Sequence, residues 1–373
     1  MRELILAAVF ACNLLPAIRA NGQISDAKIW KMKTSERTSA SLRAGGRSYI
    51  EGIDFVRPSP ATSAEQLEAI NPSLPRLLPG FRKLMESAEV SDRYTELYDR
   101  KIARLKKGEL STQHNYFDCE TALRLVYPDT GRKVFLLQSD MDVVTDGSDP
   151  GRAASIEDYD LARTSDWYLP ETSYTWARTS GGAENPFLNY YPEALENLKK
   201  MRLQIVEQAK GDSGVVWREM LKTCDAQISR IKQRGLTSST VQGLRARRFL
   251  LADRDPFIVL PRTWVNSSSA WGPMTGDFAA VVYRNRIYPA VLGDAGPADK
   301  AGEASLYIAK ALNPRANGKN RAISDVSVSY FVFPKSGVTK GEPDLKLWRE
   351  HVLQLLDEIG GVSEPAVVHT WPG

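Results

Sequence analysis

The sequence contains few residues of the kinds that bind metals or activate nucleophiles. Its 373 residues include three histidines, His114, His351 and His369, which are scattered without the spacing of zinc ligands. It contains neither a glycine-rich phosphate loop nor a Gly-x-Ser-x-Gly elbow. These absences argue against zinc, histidine catalysis, phosphate-loop nucleotide binding and serine-hydrolase chemistry, so we expect no cofactor and no bound metal.

Long apolar segments and a strong excess of positive charge are also missing. Beyond the N-terminus, no segment reaches the roughly eighteen apolar residues that a membrane-spanning helix requires. The formal net charge of +4 is small for a chain of this length, and no basic stripe with interspersed aromatic residues is present. We therefore expect neither a membrane nor a nucleic acid as a partner, and the sequence leaves the oligomeric state open.

The N-terminal segment has the pattern of a secretory signal peptide. Arg2 precedes an apolar run from Leu4 to Leu15, and small residues follow at Ala20 and Gly22. We expect residues 1–22 to be removed and the mature protein to be secreted, either to the exterior or to a periplasm.

Cysteine is scarce as well. Cys12 lies in the signal segment, which leaves Cys119 and Cys224 in the mature chain. An even pair in an exported protein permits one disulfide. The alternative is that Cys224 is a buried thiol, because it continues an apolar series at helical spacing; that series contains Trp217, Leu221, Ile228 and Ile231.

Helical patterns occupy both ends of the mature chain. Residues 23–110 are predicted to form an arm followed by two helices, the first with Ser63 and Gln66 at capping-box spacing and the second over residues 92–107. Residues 341–373 are predicted to form a C-terminal helix, over residues 344–359, and a tail.

Between these ends, residues 111–340 are predicted to form one discontinuous domain. Strand patterns cover residues 133–138, 249–292 and 326–334. Residues 192–235 instead have the periodicity of two amphipathic helices, broken at residues 211–214. The pattern predicts an α+β fold whose β-rich core, expected to be a small β-barrel, carries a helical-hairpin insertion and helical additions at both ends.

Two carboxylates bracket a turn that contains glycine and proline. Residues 278–292 have the pattern of a hairpin that leads into Asp294, and a helix is predicted over residues 304–312, directly after Glu303. A compact turn of this kind places both carboxyls on one wall of a cleft. The alternative is that Asp294 is a turn residue and Glu303 a first-turn carboxylate favoured by the helix dipole.

Four segments, including this turn, are similar to one known family. The segments are Leu137–Asp149, Asp255–Pro261, Gly276–Tyr283 and Gly293–Ser305, which together with the intervening chain cover roughly residues 117–335. They resemble glycoside hydrolase family 75, the chitosanase family. The first segment is one block and the other three form a second, and two blocks in the family's order are stronger evidence than either block alone. The resemblance implies endo-hydrolysis of β-1,4-linked glucosamine polymers with inversion, by an Asp and a Glu that match Asp294 and Glu303.

Inversion requires two carboxyl groups with different roles. One is a protonated acid at the leaving oxygen and the other a carboxylate that activates water, about 6.5–9.5 Å apart. A helix N-terminus would keep Glu303 ionised as the base, whereas an enclosed Asp294 would have the raised pKa of an acid. The sequence leaves the two roles open.

An acidic block upstream is the second chemical feature. It places four carboxylates within ten residues without an intervening lysine or arginine; they are Asp140, Asp142, Asp146 and Asp149. Such crowding costs Coulomb energy unless cations lie nearby. The ammonium groups of glucosamine units are one candidate cation, calcium is a second, and a solvated loop of turns and caps is the alternative.

Aromatic residues follow this block. Tyr174 and Trp176, together with Trp167 and Tyr168, would suit a platform on which sugar rings stack. Alternating aromatic residues on a strand are equally a feature of a hydrophobic core.

The sequence therefore predicts a secreted endo-chitosanase with a polysaccharide substrate. One alternative keeps the carboxylate pair but changes the polymer, to a β-glucan or a cell-wall glycan. Another is a polysaccharide-binding protein without catalysis. The four aspartates of the acidic block favour a cationic polymer as the substrate. Because the net charge of the chain is itself positive, it does not attract a polycation, and a local acidic cleft is required.

Overall fold

The structure is a computed structural model that describes residues 57–107, 119–161, 165, 168–209, 215–265 and 268–372. The predicted signal segment, the arm up to residue 56, the predicted helix break at residues 211–214, and Trp167 and His114 lie outside the described residues. Among the described residues, no helix is sufficiently long and apolar to cross a membrane.

Nine α-helices and ten strands are described, numbered here in chain order. The helices are α1 (Ala64–Ile70), α2 (Leu74–Leu77), α3 (Phe81–Met85), α4 (Asp92–Lys106), α5 (Phe187–Gln208), α6 (Val215–Arg230), α7 (Ser238–Ala246), α8 (Leu306–Leu312) and α9 (Leu345–Asp357). The strands are β1 (Glu89–Val90), β2 (Cys119–Val126), β3 (Lys133–Val144), β4 (Thr175–Ala177), β5 (Arg247–Phe249), β6 (Phe257–Pro261), β7 (Phe278–Tyr283), β8 (Arg286–Gly296), β9 (Glu303–Ser305) and β10 (Ile323–Val332).

Six strands close into a barrel in the order β3-β10-β7-β8-β6-β9, and the parallel pairing of β9 with β3 completes the ring. Strand β2 pairs with the first part of β3, and β1 pairs with β2, so these two strands extend the sheet beyond the ring. Strands β4 and β5 form a separate two-stranded sheet. The predicted α+β class with a β-rich, barrel-forming core is confirmed.

Alternating strand residues divide the core between the two faces of the barrel wall. On β3, Val134 and Leu136 belong to a cluster that α1–α3 and α9 cover. Phe135 and Leu137 belong to a second cluster, which takes residues from all six barrel strands and from α4 and α8. This period-2 separation is what a strand with both faces buried produces.

Several predicted elements are present with shifted limits. The capping box of Ser63 and Gln66 is formed, and the β7–β8 hairpin turns at Arg284, whose φ of 50° lies in the left-handed region. Strand β3 extends beyond the predicted residue 138 to Val144. The acidic block, which the strand predicted to end at residue 138 would have left in a loop, therefore begins inside the barrel wall with Asp140 and Asp142.

The helical insertion is longer than predicted, running from Phe187 at the start of α5 to Ala246 at the end of α7. Cys224 is buried between α5 and α6, Cys119 is buried in β2, and no disulfide joins them. The structure therefore contains the buried thiol that was the alternative for Cys224 and not the disulfide.

Candidate active site

The two predicted catalytic carboxylates lie in one row across the barrel wall. Backbone pairing aligns Asp294 on β8 with Val259 on β6, Val259 with Glu303 on β9, and Glu303 with Asp142 on β3. Directly paired residues point to the same face of a sheet, and neighbouring strands are about 4.8 Å apart. The backbones of Asp294 and Glu303 are thus separated by two strand spacings, about 10 Å, with both side chains on one face.

A β-bulge at Gly293 places Asp294 in that row. The register shifts between Ile258, which pairs with Leu292, and Val259, which pairs with Asp294, so Gly293 is the extra residue. A methyl group at Gly293 would lie 2.5 Å from Cβ of Phe257. Glycine is therefore required where the bulged strand approaches β6, and the bulge turns Asp294 onto the face of Val259.

Glu303 begins a strand, and the expectation that it begins a helix is wrong. It is the first residue of β9, whereas α8 starts at Leu306 with Ser305 as its N-cap. Pairing with β3 and β6 on both sides overrides the local helical preference of this segment. The helix dipole consequently gives no support to an ionised Glu303.

Lys300 connects Glu303 to Asp142. Its Nζ lies 2.6 Å from Oε1 of Glu303 and 2.9 Å from Oδ2 of Asp142. The side chains are 17%, 6% and 5% exposed for Lys300, Glu303 and Asp142 respectively, so the three charges interact in a largely dehydrated place. The sequence shows Lys300 three residues before Glu303, but only the fold shows that Asp142 shares it.

Asp294 is held by donors from a distant loop and from the next residue of its own strand. Its Oδ1 accepts hydrogen bonds from the backbone N of Ser173 at 2.9 Å, from Ser173 Oγ at 2.6 Å and from the backbone N of Ala295 at 2.8 Å. Asp294 is partly buried. Ser173 is 121 residues away in sequence, and no signal in the chain indicated it.

Burial raises the pKa of both carboxyls, and their partners lower it. For Asp294 the lowering comes from the hydrogen bonds of Ser173 and Ala295, and for Glu303 it comes from Lys300. Asp142 and Asp294 raise the pKa of Glu303 further by charge repulsion. Perturbed carboxyls that interact in one place are a common property of acid–base sites.

Asp146 is a third carboxyl beside this pair. Burial, followed by the charge of Asp294, raises its pKa well above the ordinary aspartate value. One of its oxygens accepts a hydrogen bond of 2.7 Å from the backbone N of Leu169. The fold therefore brings Asp142 and Asp146 of the acidic block next to the catalytic candidates.

The other two aspartates of the block lie elsewhere. Asp149 is fully buried and forms ion pairs with Arg152 and Arg248. Asp140 is fully buried with Arg321 at 3.6 Å.

Protein cations therefore accompany Asp140, Asp142 and Asp149. The crowded carboxylates need nearby cations, and the protein supplies them: Arg152 lies just after the block, whereas Arg248, Lys300 and Arg321 come from distant parts of the chain.

The aromatic pair lies against the core and the Asp149 ion pairs. Tyr174 is 4% exposed and packs edge-on against Trp348 of α9. Trp176 lies under the guanidinium of Arg248, 5.3 Å from its ring centroid. These contacts correspond to the core alternative for both residues.

A metal centre of side-chain ligands is not formed: the described part of the chain holds no group of three or more His, Cys, Asp or Glu residues arranged around an ion position.

Residues 208–364 match the family model described as fungal chitosanase of glycosyl hydrolase group 75. This is the family that the sequence segments resemble, and the matched range contains both Asp294 and Glu303. The match indicates a glycosidase of the chitosanase type with a polysaccharide substrate. The Leu137–Asp149 segment precedes the matched range. A comparison with curated proteins found no match.

Proposed function

We propose that this protein is a secreted endo-chitosanase that hydrolyses β-1,4 bonds between glucosamine units with inversion, using Asp294 and Glu303 as its acid–base pair. The observation that carries the proposal is the paired row of Asp294, Val259 and Glu303 across three strands, within the range that matches the family.

The spacing of the pair supports inversion. Two strand spacings separate the backbones by about 10 Å, and the side chains start from the same face. Inverting glycosidases need about 6.5–9.5 Å between carboxyls so that a water fits beside the sugar, whereas retaining enzymes need only about 5–5.5 Å. Carboxyl groups that start two strands apart leave room for the water that inversion requires.

The contacts favour Glu303 as the acid and Asp294 as the base, the reverse of the assignment that a helix N-terminus suggested. Three donors converge on Oδ1 of Asp294 and stabilise its ionised form. Glu303 is more buried, and its lysine is shared with Asp142, so one proton on Glu303 leaves the group of three electrically neutral. A buried carboxyl in such a group keeps its proton to higher pH, as an acid catalyst must.

Local charge supports a cationic polymer over a neutral one. Four carboxyls interact electrostatically here with one lysine, Lys300; the four are Asp142, Asp146, Asp294 and Glu303. With Glu303 protonated, the charges of Lys300 and Asp142 cancel, and the ionised Asp294 leaves the group net negative. An acidic cleft attracts a polycation even when the whole chain has a net charge of +4.

The test is hydrolysis of a set of polymers. Purified protein is incubated with chitosan, chitin and a soluble β-glucan, and reducing ends are measured. We expect release from chitosan, a loss of at least about 100-fold in Asp294→Asn and Glu303→Gln, and wild-type rates in Glu350→Gln, an exposed glutamate of α9. Release from β-glucan alone would favour a neutral polymer, and no release from any polymer would favour the non-catalytic binding protein.

A further inference from the structure

Lys300 and Asp142 have a role in the site that the acid–base pair alone does not explain. Glu303 and Asp142 are directly paired on parallel strands, and the backbone N of Asp142 donates to the carbonyl of Gly302 at 2.7 Å. The strand pairing therefore fixes the backbone positions of both residues independently of Lys300. The lysine binds one oxygen of each.

We propose that Lys300 and Asp142 are positioning residues for Glu303: Lys300 holds one carboxyl oxygen, and Asp142 neutralises the lysine so that Glu303 keeps its proton. This inference rests on the proposed function and assigns it two further residues. Asp142, which the sequence suggested as a contact for a substrate ammonium, already has an ammonium partner in Lys300.

The geometry requires such a compensation. A lysine beside a buried general acid favours the ionised, inactive form of that acid. Asp142 is 5% exposed and contacts the same Nζ at 2.9 Å, so its negative charge offsets the lysine at short range. Lys300 can then orient Glu303 without removing its proton.

The second oxygen of Glu303 faces Gly296. A methyl group at Gly296 would lie 2.8 Å from Oε2, so only glycine leaves that oxygen in place. One oxygen is therefore held by an ion pair, and the other occupies space that a side chain at position 296 would take. A proton donor fixed in this way needs no reorganisation before it transfers the proton.

Charged and titratable groups from several elements act on Glu303. Among the described residues they include Lys300 from the turn before β9, Asp142 from β3, Asp294 from β8, Asp146 after β3 and Tyr330 from β10. Lys300 lowers the pKa of Glu303, and Asp142 raises it. Neutralising these two residues must shift that pKa in opposite directions.

The experiment compares the pH profile of chitosan hydrolysis in Lys300→Met and Asp142→Asn. Loss of the lysine raises the pKa of Glu303, so the alkaline limb of kcat/KM moves to higher pH. Loss of Asp142 leaves the lysine unopposed and moves that limb to lower pH. Lys310→Met and Asp357→Asn remove the same charges at exposed positions of α8 and α9 and should leave the limb in place.

A direct titration of Glu303, by carboxyl carbon NMR of labelled protein compared with Glu303→Gln, gives the same information in variants that are inactive. Opposite shifts support the proposal. Shifts in one direction, or none, with loss of rate alone would overturn it and leave the two residues a structural role. If the wild type cleaves no polymer, the proposed function fails, while the titration still decides whether the two residues set the proton on Glu303.

Discussion

Gly296 illustrates how a single residue fixes the candidate acid. Its Cα lies close to Glu303, so that a methyl group there would be 2.8 Å from Oε2 and 3.0 Å from Cγ1 of Val259. The carboxyl group at the end of the Glu303 side chain moves more easily than the Val259 side chain. A side chain at position 296 therefore displaces the Glu303 carboxyl before it disturbs the barrel.

We expect Gly296→Ala to lower kcat on chitosan by about 10- to 100-fold, since displacing a catalytic group by about 1 Å costs up to about 100-fold. The melting temperature should change little. Gly341→Ala is the matched control, because no atom lies within 4 Å of its methyl position. Equal activity in the two variants would show that Gly296 does not position Glu303.

Burial of the two carboxyls has a cost in stability. Their folded-state pKa values are raised, so the folded state binds protons more readily than the unfolded chain. Ionised carboxyls therefore destabilise the fold at neutral pH, and this cost disappears as the pH falls below their unfolded pKa.

The amide variants Asp294→Asn and Glu303→Gln should consequently gain about 0.5–2 kcal/mol at neutral pH, in the range of other stabilising substitutions. In Glu303→Gln, Lys300 retains Asp142 as its partner. Thermal unfolding at neutral and acidic pH measures this, and the gain should shrink as the pH falls. A lower melting temperature at neutral pH in both variants would contradict the assigned direction.

Sequence reasoning at the residue scale reached the catalytic candidates but not their partners. Asp294 and Glu303 stand out because they bracket a turn in a segment with a family resemblance. Ser173 is brought to Asp294 only by the folded chain, and Asp142 was expected in a loop after the strand, whereas it lies within β3. Contacts between residues more than a hundred positions apart leave no local pattern.

At the scale of elements, tertiary pairing changed two predicted boundaries. The segment from Glu303 favours a helix locally, but β3 pairs with Glu303–Ser305 and β6 pairs with Glu303 and Ala304, so these three residues form a strand. Aspartates are depleted in strands, which is why residues after 138 suggested a loop. The strand persists because Lys300 and Arg321 compensate Asp142 and Asp140.

A buried ion network connects the loop after β3 to elements on either side of it. Asp149 binds Arg152 and Arg248, and Arg152 also forms a bidentate pair with Asp255. The arginines hold the pKa of the Asp149 carboxyl below its usual value, against the effect of burial. The contribution of ionised Asp149 to the stability of the fold is therefore present at neutral pH and is lost as the pH falls through its lowered pKa.

We expect Asp149→Asn to cost roughly 3–5 kcal/mol of unfolding free energy at neutral pH, as removal of one partner from a buried pair does. The exposed pair of Asp225 with Arg202 is the control, and Asp225→Asn should cost less than about 1 kcal/mol. Urea unfolding measures both. A cost for Asp149→Asn no larger than that of the control would show that the network does not stabilise the fold.

At the scale of the whole molecule, charge is distributed unevenly. The chain has a net charge of +4, while the candidate site gathers carboxyls. Attraction of a polycation to such a site acts over short range and is screened by salt, since the Debye length falls from about 10 Å at 0.1 M to about 3 Å at 1 M.

Binding of chitosan to the inactive Glu303→Gln variant should therefore weaken steadily as sodium chloride rises. Isothermal calorimetry with a soluble glucosamine oligomer measures this without hydrolysis. A neutral β-glucan oligomer serves as the control and should show no such dependence. Salt-independent binding of the glucosamine oligomer would remove the acidic site from substrate recognition.

The α+β class, the β-rich core and the helical insertion were predictable from sequence, because period-2 and period-3.6 patterns mark strands and helices. Closure of the barrel through the pairing of β3 with β9 was not, since a three-residue strand has no pattern of its own. That closure places Glu303 next to Asp142 and two strands from Asp294.

The most direct test of the acid–base pair is the anomeric form of the first product. Proton NMR during hydrolysis of a β-1,4-linked glucosamine oligomer distinguishes the α from the β reducing end before mutarotation. Carboxyls two strands apart with a water between them predict the α-anomer as the first product, with no signal from Asp294→Asn or Glu303→Gln. An initial β-anomer, or unchanged release by both variants, would contradict the assignment.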